Sequence, residues 1–251
     1  MSVGACADLV RRGDPDRFLA VMAAPVEARA QLFQLYAFNL EIARAPWVTE
    51  EPLIAEMRLQ WWRDVIENAA SGAAKAHEVA GPLHALIEDF GLPIAVMDRL
   101  IDARRWDIHR EPHADPGALD DYLEATGAGL MWLAARSLGA ADAAEPTVRA
   151  FGWATAAAGY LRAVPALLER GRQPLPEGET VDGLARKGLL KLAEARAGRK
   201  TVPREVRPAL LAGWQTESVL KQMVARPSSP AELSEFQRRG KLLWQAYSGR
   251  W

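Results

Sequence analysis

The chain has 251 residues and a mass of 27.5 kDa, enough to bury a sizeable core. Apolar residues make up 49% and charged residues 25%, ordinary globular proportions that exclude wholesale disorder. A net charge of -1 excludes nucleic-acid binding through bulk positive charge, and the single cysteine, Cys6, excludes an intramolecular disulfide and points to a reducing compartment.

Ala and Leu dominate, β-branched runs are scarce and no stretch alternates with period two for long, so helices are expected nearly throughout. In the N-terminal stretch Asp8, Arg11 and Arg12 interrupt any apolar run, which argues against a signal peptide and leaves Cys6 in a mobile segment. A helix is expected from Pro25 to about Ala43. Thr49 reads as an N-cap, with Glu50 and Glu51 in the first turn of the next helix, on which Ile54, Met57, Trp61, Val65 and Asn68 form an apolar stripe. Pro82 and Pro93 open two more helices, the second reaching about Arg110, and EPHADPG (111–117) breaks the chain. Further helices are expected over 119–138, 147–170, 181–198, 205–225 and 230–247. That makes eight or nine helices in one domain over residues 1–251, an all-α fold. No window approaches the roughly 20 apolar residues of a membrane span, so a soluble or peripheral protein is expected.

Two of these helices carry internal glycines, Gly127 and Gly129 in ATGAGLMWLA and Gly152 and Gly159 in AFGWATAAAG. Glycine in a helix costs about 1 kcal/mol relative to alanine. It is tolerated where helix backbones approach closely or where a ligand needs room. The charge is also uneven. Residues 182–251 hold 14 Lys+Arg against 6 Asp+Glu, a balance of +8, so residues 1–181 carry -9. Solvated helix faces of differing sign account for this, as does a C-terminal third that faces an anionic membrane surface.

Two segments, LYAFNLEIARAPW (35–47) and YLRAVPALLERGRQPLP (160–176), resemble the two signature regions of the squalene/phytoene synthase family. Leu161, Arg162, Gly171, Arg172, Leu175 and Pro176 stand in register with the second signature, and Asp102, Asp107, Tyr122 and the 125–138 stretch match the family's middle section in character. The resemblance implies an orthogonal helical bundle of the isoprenoid synthase type around a central cavity. It also implies that the segments near residues 43 and 163 face one another across that cavity.

In the family, aspartates in both signatures hold Mg²⁺ against the diphosphates of two prenyl substrates. Here those positions carry Ala43, Arg44 and Trp47 on one side and Ala163 and Leu167 on the other. None of these side chains can supply the oxygen ligands that magnesium requires. No metal or other cofactor is therefore expected, and Glu41 and Glu169 lie at other helical phases. AFN with Glu41 and Ala43, then MRLQWWR (57–63) and LRAVP (161–165), look like the branch formed by mitochondrial complex I assembly factor 6 and its bacterial relatives. That resemblance implies an accessory factor for respiratory complex I at the cytoplasmic face of a bacterial inner membrane. Its partners would be a complex I subunit or assembly intermediate. A working head-to-head prenyl synthase and a prenyl- or lipid-binding module are the alternatives.

Tyr36, Asn39, Arg44, Arg58, Trp61, Arg162 and Arg172 are the candidate ligand-binding residues of the cavity. A buried arginine needs an anionic or carbonyl partner. An anionic lipid head, a prenyl diphosphate held without turnover or a protein carboxylate would serve, as would internal ion pairs to Glu41, Asp102 or Asp107. His109 and His113 are four residues apart, but Pro112 breaks the helix that would align them on a metal. Of nine tryptophans, Trp61, Trp132 and Trp153 fit core positions. Trp244 and Trp251, mixed with basic residues in RRGKLLWQAYSGRW, fit either a docked last helix or a membrane-facing anchor.

Overall fold

The computed structural model describes residues 3–69, 76–109, 111–227 and 234–251. Among these residues there is no strand. The chain folds into α1 (Val3–Gly13), α2 (Pro15–Met22), α3 (Val26–Arg44), α4 (Pro52–Ala69), α5 (Ala80–Phe90), α6 (Ile94–Ala103), α7 (Arg105–Ile108), α8 (Pro116–Leu123), α9 (Gly129–Ser137), α10 (Glu145–Glu169), α11 (Val181–Ala197), α12 (Thr216–Ala225) and α13 (Glu235–Ser248). Short polar side chains start several of them. Asp14 accepts from the backbone N–H of Arg17 (2.9 Å), Asp115 from Ala118 (2.8 Å) and Thr180 from Gly183 (3.1 Å), each satisfying an orphan donor of a first turn. Helix α10 runs through the middle of the bundle and packs on α9, α11 and α12, while α1 and α2 pack on α3.

The segment around Cys6, expected to be mobile, instead forms α1, which is followed by α2. Cys6 and Val10, one turn apart, are fully buried, and burial raises the Cys6 thiol to about 11. On α4 the buried residues are Ala55, Leu59, Trp62, Val65, Ile66 and Ala69; Val65 of the expected stripe is buried, while the others lie one or two residues out of phase with it. Ile54 and Met57 are exposed, as is Asn68, and Trp61 is half-buried. Both sets repeat with helical period. Thr49 accepts from Glu51 N–H (3.1 Å), but the helix opens only at Pro52, so Glu50 and Glu51 precede it.

The 119–138 segment is α8 and α9 joined by a π turn over Glu124–Ala128. That turn carries Gly127, where an added Cβ would lie 2.1 Å from Ala156 Cβ on α10. The 205–225 segment begins as a 3-10 helix, Arg207–Gly213, and becomes α-helical only at Thr216. Arg110 and residues 230–233 of two expected helices lie outside the described residues. Trp132 and Trp153 are buried as expected. Trp251 is buried as well, edge-on to Phe151 with ring centroids 4.9 Å apart, so it does not face a membrane; its carbonyl oxygen accepts from Arg196 and Arg199. No described helix is long and apolar enough to cross a membrane.

Candidate functional site

A cavity of about 240 Å³ opens between α3, α9 and α10. Tyr36 lines it from α3, and Ala156, Gly159 and Tyr160 line it from α10, so the two signature helices form walls of one space. Arg17 reaches in from α2, its guanidinium 5.1 Å from the Tyr36 ring centroid. Burial raises the Tyr36 phenol to about 12, so it stays protonated. Gly152 also lines the cavity but is packed tight. A Cβ there would lie 2.7 Å from Ala128 Cα, whereas a Cβ on Gly159 would meet nothing within 4 Å. The glycines thus serve two purposes, close helix approach at Gly127 and Gly152 and open space at Gly159.

Above the tyrosines lies a buried ionic network. Arg104 donates to Tyr122 Oη (2.9 Å) and to Asp107 (3.4 Å), and Tyr122 Oη donates to Asp107 (3.1 Å). Burial raises both the Asp107 carboxyl and the Tyr122 phenol, and Arg104 pulls each back. Burial disfavours the Arg104 charge, but Tyr122 and Asp107 outweigh it and hold the guanidinium charged. Around the network, Trp106 stacks on His113 at 3.9 Å, with Tyr122 and Tyr160 against both. Burial lowers His113 to about 4, so this imidazole is neutral near pH 7.

At one of the missing aspartate positions, Trp47, the indole packs against an arginine. Arg172 is buried, with its guanidinium 5.2 Å from the ring centroids of both Trp47 and Trp106. It donates to the backbone carbonyls of Asp107 and His109 and, at 3.5 Å, to that of Trp106. Arg170 lies over the other available part of the Trp47 ring, 4.8 Å from its centroid. Ala43 is half-buried and Ala163 exposed. Nothing at Ala43, Arg44, Trp47, Ala163 or Leu167 offers an oxygen ligand, and no group of three or more His, Cys, Asp or Glu able to hold a metal occurs among the described residues. These residues do not fit Mg²⁺.

The structure separates the candidate ligand-binding residues. Tyr36 lines the cavity. Arg162 lines an adjoining hollow of about 140 Å³ that shares Arg17, Thr155 and Gly159 with it, and is paired with Asp16 at 3.1 Å. Asn39 is buried with Oδ1 unpartnered. Three others are turned elsewhere. Arg44 is exposed and pairs with Glu41 (3.7 Å), Arg58 is exposed on α4, and Trp61 packs on Trp62 and His77. Arg172 is consumed by carbonyls. Of the expected acidic partners, Asp107 binds Arg104, while Asp102 binds Arg63 (3.1 Å) and Arg105 (2.9 Å). Arg17 and Arg104 were not singled out by sequence. The one available signal for Arg104 was its spacing of three from Asp107.

Comparison with known proteins fits this geometry. A sequence profile of the squalene/phytoene synthases matches residues 10–191. Human NADH dehydrogenase (ubiquinone) complex I, assembly factor 6 is 26% identical over 241 residues, covering 87% of this chain and 72% of the human protein. The Drosophila melanogaster homolog of that factor is 31% identical over 185 residues, covering 68% of this chain and 52% of the fly protein. Among solved structures, a dehydrosqualene synthase in complex with ligand superposes with a TM-score of 0.84 at 15% identity, covering 98% of this chain and 95% of that one. Squalene synthase HpnC from Alicyclobacillus acidocaldarius gives 0.73 at 20% identity, covering 91% and 95%. The profile match spans both signature helices and the cavity between them, and the chain belongs to the squalene/phytoene synthase family.

Proposed function

We propose that this protein is an assembly factor for respiratory complex I and does not transfer prenyl groups. Its place of action is the cytoplasmic face of a bacterial inner membrane. The observation that carries the reading is the lack of any oxygen-bearing side chain at Ala43, Arg44, Trp47, Ala163 and Leu167, in a chain similar to complex I assembly factor 6 over 87% of its length. Ionising a diphosphate needs concentrated positive charge that leaves with the pyrophosphate, and Mg²⁺ normally supplies it. Here the cations held beside the Trp47 ring among the described contacts are the guanidiniums of Arg170 and Arg172; backbone carbonyls fix Arg172 in place, and neither can leave with pyrophosphate. The cavity between the signature helices, about 240 Å³, falls below the roughly 300–1,000 Å³ of common small-molecule sites, whereas a neighbouring hollow of about 600 Å³, lined by Asp102, Trp106, His113 and Tyr122, lies within that range. A small anionic or prenyl ligand held between Arg17, Tyr36 and Tyr160 would act as a structural or sensing group.

The test is a strain lacking the gene, assayed for both complex I and isoprenoid products. Loss of assembled complex I with unchanged isoprenoids supports the proposal. Normal complex I with a missing squalene- or phytoene-type product overturns it in favour of the synthase. Arg162→Ala refines the result. Asp16 keeps Arg238 and Gln215 as partners, and Arg162 is half-exposed, so the variant should lose less than about 1 kcal/mol. An assembly defect in that variant at matched protein abundance therefore reports function and not folding.

A further inference from the structure

Helix α13 is docked inside out. Its polar side meets the body of the protein: Arg238 pairs with Asp16, Lys241 Nζ donates to Ser218 Oγ (2.6 Å) and Gln245 donates to the Trp214 carbonyl (3.4 Å). Leu242 is the helix's one buried residue among those described. The opposite face carries Phe236, Leu243 and Tyr247, with Trp244 beside them, and these are 88%, 66%, 90% and 58% exposed. Positions 236, 243 and 247 recur at helical spacing, with Gly240 filling the turn between. An amphipathic helix on a globular protein normally turns its apolar stripe to the core.

The stripe ends at a basic hollow. A pocket of about 310 Å³ is bounded by Tyr247, Ser248 and Gly249 at the end of α13 and by Arg204, Arg207 and Arg250, with no acidic side chain in its lining. Among the described residues none of these three arginines has an ion pair, and Arg207 Nε is buried without a partner. Arg196 and Arg199 lie next to them. Burial and then the charges of Arg196, Arg207 and Arg250 lower the Arg199 pKa, a sign of crowded positive charge. Of the acids in this part of the chain, Glu217 is engaged by Arg196 and Lys221 and Glu235 by Arg238 and Arg239, while the exposed Glu205 follows Arg204 in sequence and does not line the pocket.

We propose that α13 and this pocket form a docking site for an anionic phospholipid surface. Phe236, Leu243 and Tyr247 enter the headgroup–acyl boundary, and Arg204, Arg207 and Arg250 receive a lipid phosphate. Aromatic and leucine side chains on one face, basic residues flanking them and low mean hydropathy are what an interfacial helix needs. The excess of +8 over residues 182–251 adds attraction to an anionic leaflet. The aromatic tips of Trp244 and Tyr247 suit headgroup depth. This site stands on its own surface and does not depend on which complex the protein serves.

The experiment is co-sedimentation of the full chain with phosphatidylcholine vesicles, with and without about one-third phosphatidylglycerol. Binding should be at least about tenfold tighter to the anionic vesicles and should weaken as salt rises. The double variant Leu243→Ser/Tyr247→Ser changes only exposed side chains and should retain the wild-type melting temperature while losing about tenfold in affinity. Arg204→Gln/Arg250→Gln should lose the preference for phosphatidylglycerol. Absence of binding to anionic vesicles, or binding untouched by both double variants, overturns the proposal. So does a dimer in solution that Leu243→Ser/Tyr247→Ser dissolves without any vesicle binding, since the stripe would then be covered by a second copy. Complex I assembly is scored separately, so a protein that assembles complex I without binding vesicles refutes this site alone.

Discussion

Replacing Gly152 and Gly159 one at a time by alanine should move stability in opposite directions, although both lie on α10 and both line the cavity. Alanine gains about 1 kcal/mol over glycine in a helix interior. At Gly159 nothing lies within 4 Å of the new Cβ, so that gain should appear nearly whole. At Gly152 the Cβ would sit 2.7 Å from Ala128 Cα, 2.9 Å from Met131 Cβ and 3.0 Å from the Gly127 carbonyl oxygen. Carbon atoms prefer separations of roughly 3.5–4 Å, so the π turn and α9 must retreat from α10. Two of the three contacts are backbone and cannot rotate away. Overpacking of this kind costs about 1–3 kcal/mol, and the backbone contacts place Gly152 at the upper end. Subtracting the propensity gain leaves a loss of about 2 kcal/mol for Gly152→Ala and a gap near 3 kcal/mol between the variants. In a chain of this size that is on the order of 10 °C in melting temperature. Denaturant midpoints of the purified variants measure it. A Gly152→Ala protein as stable as wild type would refute the close approach of α9 and α10, and a destabilised Gly159→Ala would refute the open wall.

Three more outcomes follow from the charged and titratable groups. Arg172→Ala strands the carbonyls of Asp107 and His109 and parts Trp47 from Trp106, so it should cost about 3 kcal/mol, and Arg172→Lys should recover less than half because it lacks the planar fork; a thermal melt within about 2 °C of wild type for Arg172→Ala would contradict this. His113 is held neutral with its pKa lowered to about 4 from 6.5, so its contribution is complete above pH 6.5 and is lost as pH falls toward 4. The loss should approach about 3 kcal/mol and should be flattened by His113→Gln, as read from denaturant midpoints between pH 7 and 4; an unchanged slope would count against it. Glu217, lowered to about 2 by hydrogen bonds from Arg196 and Lys221, adds stability above pH 4.5 that disappears only in stronger acid.

Most of the helical segments from α3 to α11 were legible because their punctuation is local, although α6 with α7 and α8 with α9 each read as a single helix. Prolines, short capping side chains and glycines act within a turn of the residue that carries them. The family likeness was legible for the same reason, since LYAFN and LRAVP…GRQPLP are contiguous. What escaped the sequence depends on which segments meet. The phase of α4 could not be chosen from periodicity, because two apolar sets one or two residues apart both satisfy it, and only contact with α5 and α6 separates them. The segment around Cys6 read as mobile because the apolar residues of the short N-terminal helices gain burial only against elements elsewhere in the chain, α3 and the 3-10 helix Arg207–Gly213 among them. The cavity's polar lining joins residues far apart in the chain, Arg17 to Tyr36 and Arg104 to Tyr122, so no spacing rule could announce it. Trp251 was read with Trp244 because they share a composition. The chain turns at Gly249, φ +60°, and sends the last indole inward while Trp244 stays outside.

Asp16 makes one carboxylate common property of distant parts of the chain. It accepts from Arg162 at the mouth of the cavity, from Arg238 on α13 and from Gln215 just before α12. Whatever competes for Arg162 leaves more of that negative charge to Arg238 and seats α13 more firmly. Whatever lifts α13 away returns it to Arg162 and draws that guanidinium out of reach of a ligand. The two ends of the protein are therefore written into a single equilibrium. Amide exchange along α13 should register what happens at the cavity mouth, with the same free energy of coupling read in either direction.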